Sequence, residues 1–123
     1  ANTLWAFAKL GLQPSESLLG DLTSQSVLLI DTFRPQNIQK TLWAFAKLGL
    51  KPSEALVAGL TDQAMAVQVD FNPRGIAITL WAFATLGLQP SKALTAGMMK
   101  QAVAVQGDFN AQGIANTLWA FAT

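Results

Sequence analysis

The chain repeats one segment four times without a change, and its first copy reads Thr3-Leu4-Trp5-Ala6-Phe7-Ala8. The other copies begin at Thr41, Thr79 and Thr117, so the period is 38 residues with no insertion. A gap-free period of this length is typical of stacked arrays in which each unit buries its apolar face against its neighbours. We therefore predict that residues 1–123 form a single repeat array, a slice of a longer solenoid. Its repeats span residues 3–40, 41–78 and 79–116, and a fourth begins at 117–123.

Each repeat is predicted to contain two helices. The first is clearest between Pro73 and Leu86, where Asn72 is a good N-cap and Pro73 suits the first helical position. Gly87 supplies the left-handed residue that commonly ends a helix. Alanine-rich runs and the lack of sustained alternation argue against strands. The predicted fold class is therefore all-α, an α-solenoid of tandem antiparallel helix-turn-helix repeats.

The second helix of a repeat is predicted to begin near Pro52 and Ser53 and to run to about Val67. Either Ser53 is its N-cap or Pro52 occupies its first position. We expect this helix to pack closely against its neighbours through small residues. These residues are Ala55, Ala58, Gly59 and Ala66.

The composition excludes most catalytic chemistry. The 123 residues include no Cys and no His, 51% are hydrophobic and only 12% are charged. The usual zinc sites and nucleophilic triads therefore lack their residues. The seven acidic residues form no pair on a first helix, and no glycine-rich phosphate loop is present. We predict that the chain is not an enzyme and takes no cofactor, metal or small-molecule substrate. No apolar run approaches the roughly 18 to 20 residues of a membrane helix, so no membrane partner is expected.

Periodicity predicts which face of a first helix is buried. Ile76, Leu80 and Phe83 follow the spacing i, i+4, i+7 and form one apolar stripe. The remaining narrow stripe is predicted to carry Arg74, Ile78, Ala82 and Thr85. Its equivalents in the flanking repeats are Gln36, Lys40, Ala44, Lys47, Gln112, Asn116, Ala120 and Thr123.

Basic residues concentrate on the first helices and the turns beside them, where no acidic residue falls. Six of the eight basic residues lie there: Lys9, Arg34, Lys40, Lys47, Lys51 and Arg74. In a stacked array this asymmetry adds up to a basic ribbon on one face, which a phosphate backbone can follow. The alternative interpretation is a solvated polar stripe in which the charges are segregated by accident.

The four tryptophans fall at one repeat position and allow two interpretations. Trp5, Trp43, Trp81 and Trp119 could stack on nucleobases. They are also flanked by Leu and Ala and are expected to lie off the polar stripe, as packing residues do. We favour packing between neighbouring repeats.

Variation between otherwise similar repeats concentrates on the predicted polar stripe. Different side chains at equivalent exposed positions are what a modular reader of RNA needs, since such repeats use two or three side chains for each base. Drift at unconstrained surface positions would look the same. Three sets of equivalent residues, each spaced by 38 positions, vary in this way. The first set is Asn2, Lys40, Ile78 and Asn116, the second is Lys9, Lys47, Thr85 and Thr123, and the third is Gln36, Arg74 and Gln112.

The repeat resembles the octotricopeptide repeat, whose first helix reads roughly Asn-x-Leu-Trp-Ala-Leu-Ala-x-Leu-Gly. The matching residues are Thr79-Leu80-Trp81-Ala82-Phe83-Ala84-Thr85-Leu86-Gly87. The Asn before Thr is present as Asn2 and Asn116 but is replaced by Lys40 and Ile78. Related repeats occur in FAST-kinase-like proteins with a RAP domain. The resemblance implies an α-solenoid that binds single-stranded RNA in chloroplasts or mitochondria and promotes maturation, stability or translation of organellar transcripts.

Together these patterns predict a right-handed solenoid with the first helices on its concave face and sequence-selective binding of single-stranded RNA along that face. By analogy each repeat would bind about one nucleotide. The predicted base-facing residues are Asn2, Lys40, Ile78 and Asn116. The predicted phosphate-contacting or polar-stripe residues are Lys9, Gln36, Lys47, Arg74, Thr85 and Gln112.

Two further expectations follow from the same surface and from the two ends of the chain. The alternative function is a protein-interaction scaffold that binds an acidic or amphipathic peptide, including a repeat protein of the bacterial effector type. Because the chain starts and stops inside a first helix, each end is expected to expose an apolar face. Copies are then predicted to stack end to end, a contact that could continue as a filament.

Overall fold

In residues 2–105, the part of the chain that the computed structural model describes, there are six α-helices and no strand. The helices are α1 (Asn2–Leu10), α2 (Glu16–Leu28), α3 (Pro35–Leu48), α4 (Glu54–Ala66), α5 (Pro73–Thr85) and α6 (Lys92–Ala104). One turn of 3-10 helix follows α2 at Ile30–Thr32, and another follows α4 at Gln68–Asp70. The predicted all-α fold is confirmed for these residues. The end of the third predicted repeat and the start of the fourth lie outside the described residues.

The first helices begin and end where the local sequence predicts. The Asn72 side chain accepts a hydrogen bond from the Gly75 N–H at 2.7 Å, and Pro73 is the first residue of α5. The helix ends at Thr85, one residue earlier than predicted. Gly87 then adopts a φ of +70°, a left-handed conformation that costs a residue with a Cβ about 1–2 kcal/mol. These ends depend on nearby groups alone, which is why the sequence predicts them well.

The second helices begin at a serine cap. The Leu56 N–H donates a hydrogen bond to Ser53 Oγ at 3.2 Å, so Ser53 is the N-cap of α4, and the first helical position is taken by Glu54 and not by Pro52. Ser15 and Ser91 accept the equivalent bonds in α2 and α6. The helix ends at Ala66, with Val67 as its C-cap.

The helices stack in two layers with the core between them. First helices α1, α3 and α5 pack side by side in one layer, and second helices α2, α4 and α6 pack in the other. Side chains from both layers are completely buried: Ile38, Leu42, Leu56, Leu60, Ile76 and Leu94. Helix α3 also contacts α4, and α5 contacts α6, so successive helix pairs stack on one another, the arrangement of an α-solenoid. The right-handed sense and the concave placement of the first helices stay predictions.

A glutamine joins the second and the third helix pair to the turn before each of them. Gln101 Nε2 donates hydrogen bonds to the Val69 and Phe71 carbonyls at 3.0 and 2.9 Å. In the preceding pair, Gln63 bonds the Asp31 and Phe33 carbonyls in the same way. Phe33 and Phe71 are buried beneath these turns. The pairs are thus held by polar bonds as well as by apolar contact.

The packing of the second helices differs from the expectation. Ala55, Ala58 and Ala66 are exposed, and Leu56 and Leu60 are buried instead. The prediction of small residues at a close crossing holds at Gly59. A Cβ built there would lie 3.3 Å from Ile30 Cγ1 of the preceding pair. Within residues 2–105 no helix combines the length and the apolar character needed to cross a bilayer.

Candidate nucleic-acid interface

One face of each first helix is open to solvent, and its centre is a tryptophan. On α3 the exposed or half-buried residues Gln36, Lys40, Trp43 and Lys47 follow the spacing i, i+4, i+7, i+11, which places them on one face. We call this face with its equivalents the tryptophan surface. Its described members are Asn2, Trp5, Lys9, Gln36, Lys40, Trp43, Lys47, Arg74, Ile78, Trp81 and Thr85.

The alanines predicted on this stripe are not part of it. Ala44 and Ala82 are 0% exposed. Successive residues of a helix are rotated by about 100°, so Ala44 points toward the neighbouring first helix while Trp43 points outward. Trp43 lies on the same face as Gln36, Lys40 and Lys47. The expectation that the tryptophans lie off the polar stripe is therefore wrong. The i+7 spacing from Gln36 to Trp43 is the sequence signal that would have found this.

Neighbouring helix pairs bring their tryptophans together. The Trp5 and Trp43 ring centroids are 6.4 Å apart, and the planes are inclined by 41°. Both rings are half-buried. This distance falls within the range that aromatic pairs prefer, and the tilt lies between the stacked and the edge-to-face arrangements. The predicted packing of tryptophans between repeats is thus confirmed for this pair, although one part of each ring stays accessible.

Lysine ammonium groups lie over these two rings. Lys9 Nζ is 5.5 Å from the Trp5 centroid and 6.0 Å from the Trp43 centroid. Lys40 Nζ lies 5.3 Å from the Trp5 centroid, and Lys47 Nζ lies 5.8 Å from the Trp43 centroid. These are cation–π distances. Cations and aromatic rings therefore alternate along the surface, from one helix pair to the next.

Two of the predicted base-facing residues contact each other across helix pairs. Lys40 Nζ donates a hydrogen bond to Asn2 Oδ1 at 3.3 Å. Asn2 is exposed and Lys40 is half-buried beside Trp5. Since the two residues are 38 positions apart, only the stacking of α3 on α1 brings them together. The structure thus joins these two positions beside the Trp5 ring.

The surface changes character on α5. Trp81 is half-buried at the equivalent position, but Ile78 and Thr85 stand where α3 has Lys40 and Lys47. Among the described residues no ammonium group lies over the Trp81 ring. Arg74 is exposed at the start of the helix and supplies its positive charge. The predicted site residues Gln112 and Asn116 lie outside the described residues.

Charge is segregated as the sequence predicts for four of the six basic residues assigned to the ribbon. Within residues 2–105 the tryptophan surface carries four cations and no acidic side chain. The acidic residues of this part of the chain are exposed on the second helices and on the turns after them: Glu16, Asp21, Asp31, Glu54, Asp62 and Asp70. The other two are Lys51, which is exposed in the turn between α3 and α4, and Arg34, whose guanidinium forms an ion pair with Asp70 at 3.0 Å. Arg34 therefore links two turns instead of adding to the basic ribbon.

Comparison with known proteins gives one family. The family model described as RNA-editing substrate-binding complex 6 protein matches residues 1–123. No curated protein matches the sequence. The match supports an RNA-related helical protein, and it does not confirm the octotricopeptide repeat assignment.

Proposed function

The chain belongs to the RNA-editing substrate-binding complex 6 protein family, and we propose that it binds single-stranded RNA along the tryptophan surface. The observation that carries this proposal is the alternation of Lys40, Trp5, Lys9, Trp43 and Lys47 across two helix pairs. Proteins that bind single strands combine a positively charged surface with aromatic rings on which bases stack. The family name, which refers to RNA editing and to substrate binding, supports an RNA substrate.

Each group on the surface suits one part of a nucleotide. Lys9, Lys47 and Arg74 are exposed and would contact phosphates. Asn2, Lys40 and Ile78 vary between helix pairs beside the tryptophans, so we propose that they distinguish bases, with Asn116 as the equivalent residue of the next repeat. Gln36, Thr85 and Gln112 would add hydrogen bonds at the edge of the surface. About one nucleotide for each helix pair follows by analogy with other helical repeats.

In the cell we propose a binding role without catalysis. The chain would hold transcripts during editing as a part of an RNA-editing substrate-binding complex, and so contribute to RNA maturation. A mitochondrial location is compatible with the family, and microscopy of the tagged protein would test it. The family match gives no support to a chloroplast location or to a bacterial effector origin.

The first prediction concerns the salt dependence of RNA binding. Replacing Lys9 and Lys47 with Gln should weaken binding to a fluorescent RNA oligonucleotide. It should also reduce the slope of log affinity against log salt by about 1.4, since each phosphate contact contributes roughly 0.7 for a single strand. Fluorescence anisotropy at several salt concentrations measures both quantities.

The matched control is Lys92→Gln with Lys100→Gln. It removes the same charge from two exposed lysines of α6, away from the tryptophan surface. This control should keep the wild-type slope. Equal slopes for all three proteins would reject the phosphate role of Lys9 and Lys47.

The alternative function is a scaffold for another protein of a complex. Large apolar side chains are exposed near the ends of the second helices: Leu28 is 80% exposed, Val69 73% and Val103 67%. Apolar side chains that join into a contiguous patch mark protein contacts, and the scaffold function would need these residues to form one. If RNA fails to bind at low salt while a purified partner protein binds and the Leu28→Lys variant loses it, the scaffold is the better function.

A further inference from the structure

We infer that the lysines over the tryptophan rings occupy the places that RNA takes. On binding, nucleobases stack on Trp5 and Trp43, the ammonium group of Lys9 moves from the rings to a phosphate, and that of Lys40 moves from Trp5 to the edge of a base. This inference rests on the proposed function and gives it a mechanism, because it assigns the contact with bases to the tryptophans.

The arrangement of the side chains provides for such an exchange. Lys9 Nζ lies within 6.0 Å of both ring centroids, so one ammonium group covers two aromatic rings. Lys40 Nζ covers Trp5 from the next helix pair and is held there by Asn2 Oδ1 at 3.3 Å. Both lysines are on flexible stems at or near the surface, and no acidic side chain of the described residues lies on this surface to hold them in place.

The relative strengths of the contacts favour the exchange. An exposed cation–π contact is worth about two- to fivefold in an equilibrium constant. Stacking of one base on an aromatic side chain is worth on the order of five- to 150-fold. The displaced ammonium group also gains a phosphate partner, which replaces the contact it has lost. The contacts that the rings and the lysines make with RNA are therefore stronger than the cation–π contacts that they make with each other.

The exchange belongs to α1 and α3 and not to α5. In residues 2–105 the Trp81 ring has no ammonium group over it, and Thr85 stands where Lys9 and Lys47 cover the tryptophans of their own helices. A base that stacks on Trp81 displaces nothing and brings no lysine to its phosphate. The lysine-covered rings therefore define the part of the surface where base stacking and charge act together.

The test follows the fluorescence of Trp5 and Trp43. A Trp81→Phe, Trp119→Phe variant leaves these two as its only tryptophans and keeps aromatic rings at the other positions. It is titrated with an eight-nucleotide uridine RNA and with an abasic oligonucleotide of the same length. Fluorescence anisotropy of the labelled oligonucleotide reports binding, and tryptophan fluorescence reports stacking. We expect the RNA to reduce the tryptophan fluorescence by about half or more. The abasic strand should bind more weakly and leave the tryptophan fluorescence unchanged.

Variants then separate stacking from folding. Trp5→Leu should weaken binding of the uridine RNA by about tenfold and change affinity for the abasic strand by less than twofold, with the circular dichroism unchanged. Lys9→Met should reduce the salt slope and keep the quenching. Binding of RNA with unchanged tryptophan fluorescence would reject the stacking inference and leave the proposed function standing. Absence of RNA binding at low salt would reject both.

Discussion

A single glutamine shows how much one residue contributes when it joins two helix pairs. The Gln101 side chain is 8% exposed and donates to two main-chain carbonyls of the preceding turn. Gln25 occupies the equivalent position on α2, yet it is exposed and makes no side-chain hydrogen bond within the described residues. The same residue at the same repeat position therefore has two different environments.

We predict that Gln101→Leu lowers the free energy of unfolding by about 1–3 kcal/mol, because the buried Phe71 carbonyl and the partly buried Val69 carbonyl lose their donor. Gln25→Leu, the matched control, should change it by less than about 0.5 kcal/mol. Urea unfolding followed by circular dichroism measures both. Equal effects of the two substitutions would contradict the role of Gln101.

At the scale of the helix, glycine has opposite effects in two places. Gly20 lies inside α2, exposed, with nothing within 4 Å of the position that a Cβ would take. Ala58 and Ala96 stand at the equivalent positions of α4 and α6. Gly87 lies just after α5 with a φ of +70°. The same substitution should therefore stabilise one helix and strain the end of another.

We predict that Gly20→Ala raises the free energy of unfolding by about 0.5–1 kcal/mol, since alanine loses less backbone entropy in a helix. Gly87→Ala should lower it by about 1–2 kcal/mol because of the left-handed backbone. Thermal and urea unfolding of the two variants test this pair. If the free energy of unfolding changed in the same direction in both variants, the explanation would be contradicted.

At the scale of the whole molecule, one face of α1 is accessible to solvent although the equivalent face of α3 is buried. Thr3 is exposed and Phe7 is half-buried, whereas Thr41 and Phe45 are each 2% exposed in α3 against α1. Leu10 is 72% exposed, and its equivalent Leu48 is 8% exposed.

The predicted end-to-end association should therefore involve this face. We expect sedimentation coefficients to rise with protein concentration, and Leu10→Lys to suppress that rise. Leu28→Lys is the matched control, because Leu28 is equally exposed but lies on a second helix. A sedimentation coefficient that does not depend on concentration up to the millimolar range would reject the association.

The period and the ends of the helices were predictable because they depend on neighbouring residues along the chain. Ser53, Asn72 and Gly87 act through bonds and backbone angles within a few residues, so a repeated sequence yields a repeated helix pair. The all-α array and the segregation of charge follow from the same local regularity. These features hold wherever the repeat occurs.

The composition of the candidate site was decided by the stacking of one helix pair on the next. Lys40 covers Trp5 and bonds Asn2 only because α3 lies beside α1, and Ala44 is buried for the same reason. A Trp, being large and apolar with one polar atom, suits a core and an exposed aromatic surface equally well. The repeated sequence alone predicted which helices carry the site. The contacts between pairs decided which of their side chains meet, because distances across 38 residues of chain depend on packing and not on local geometry.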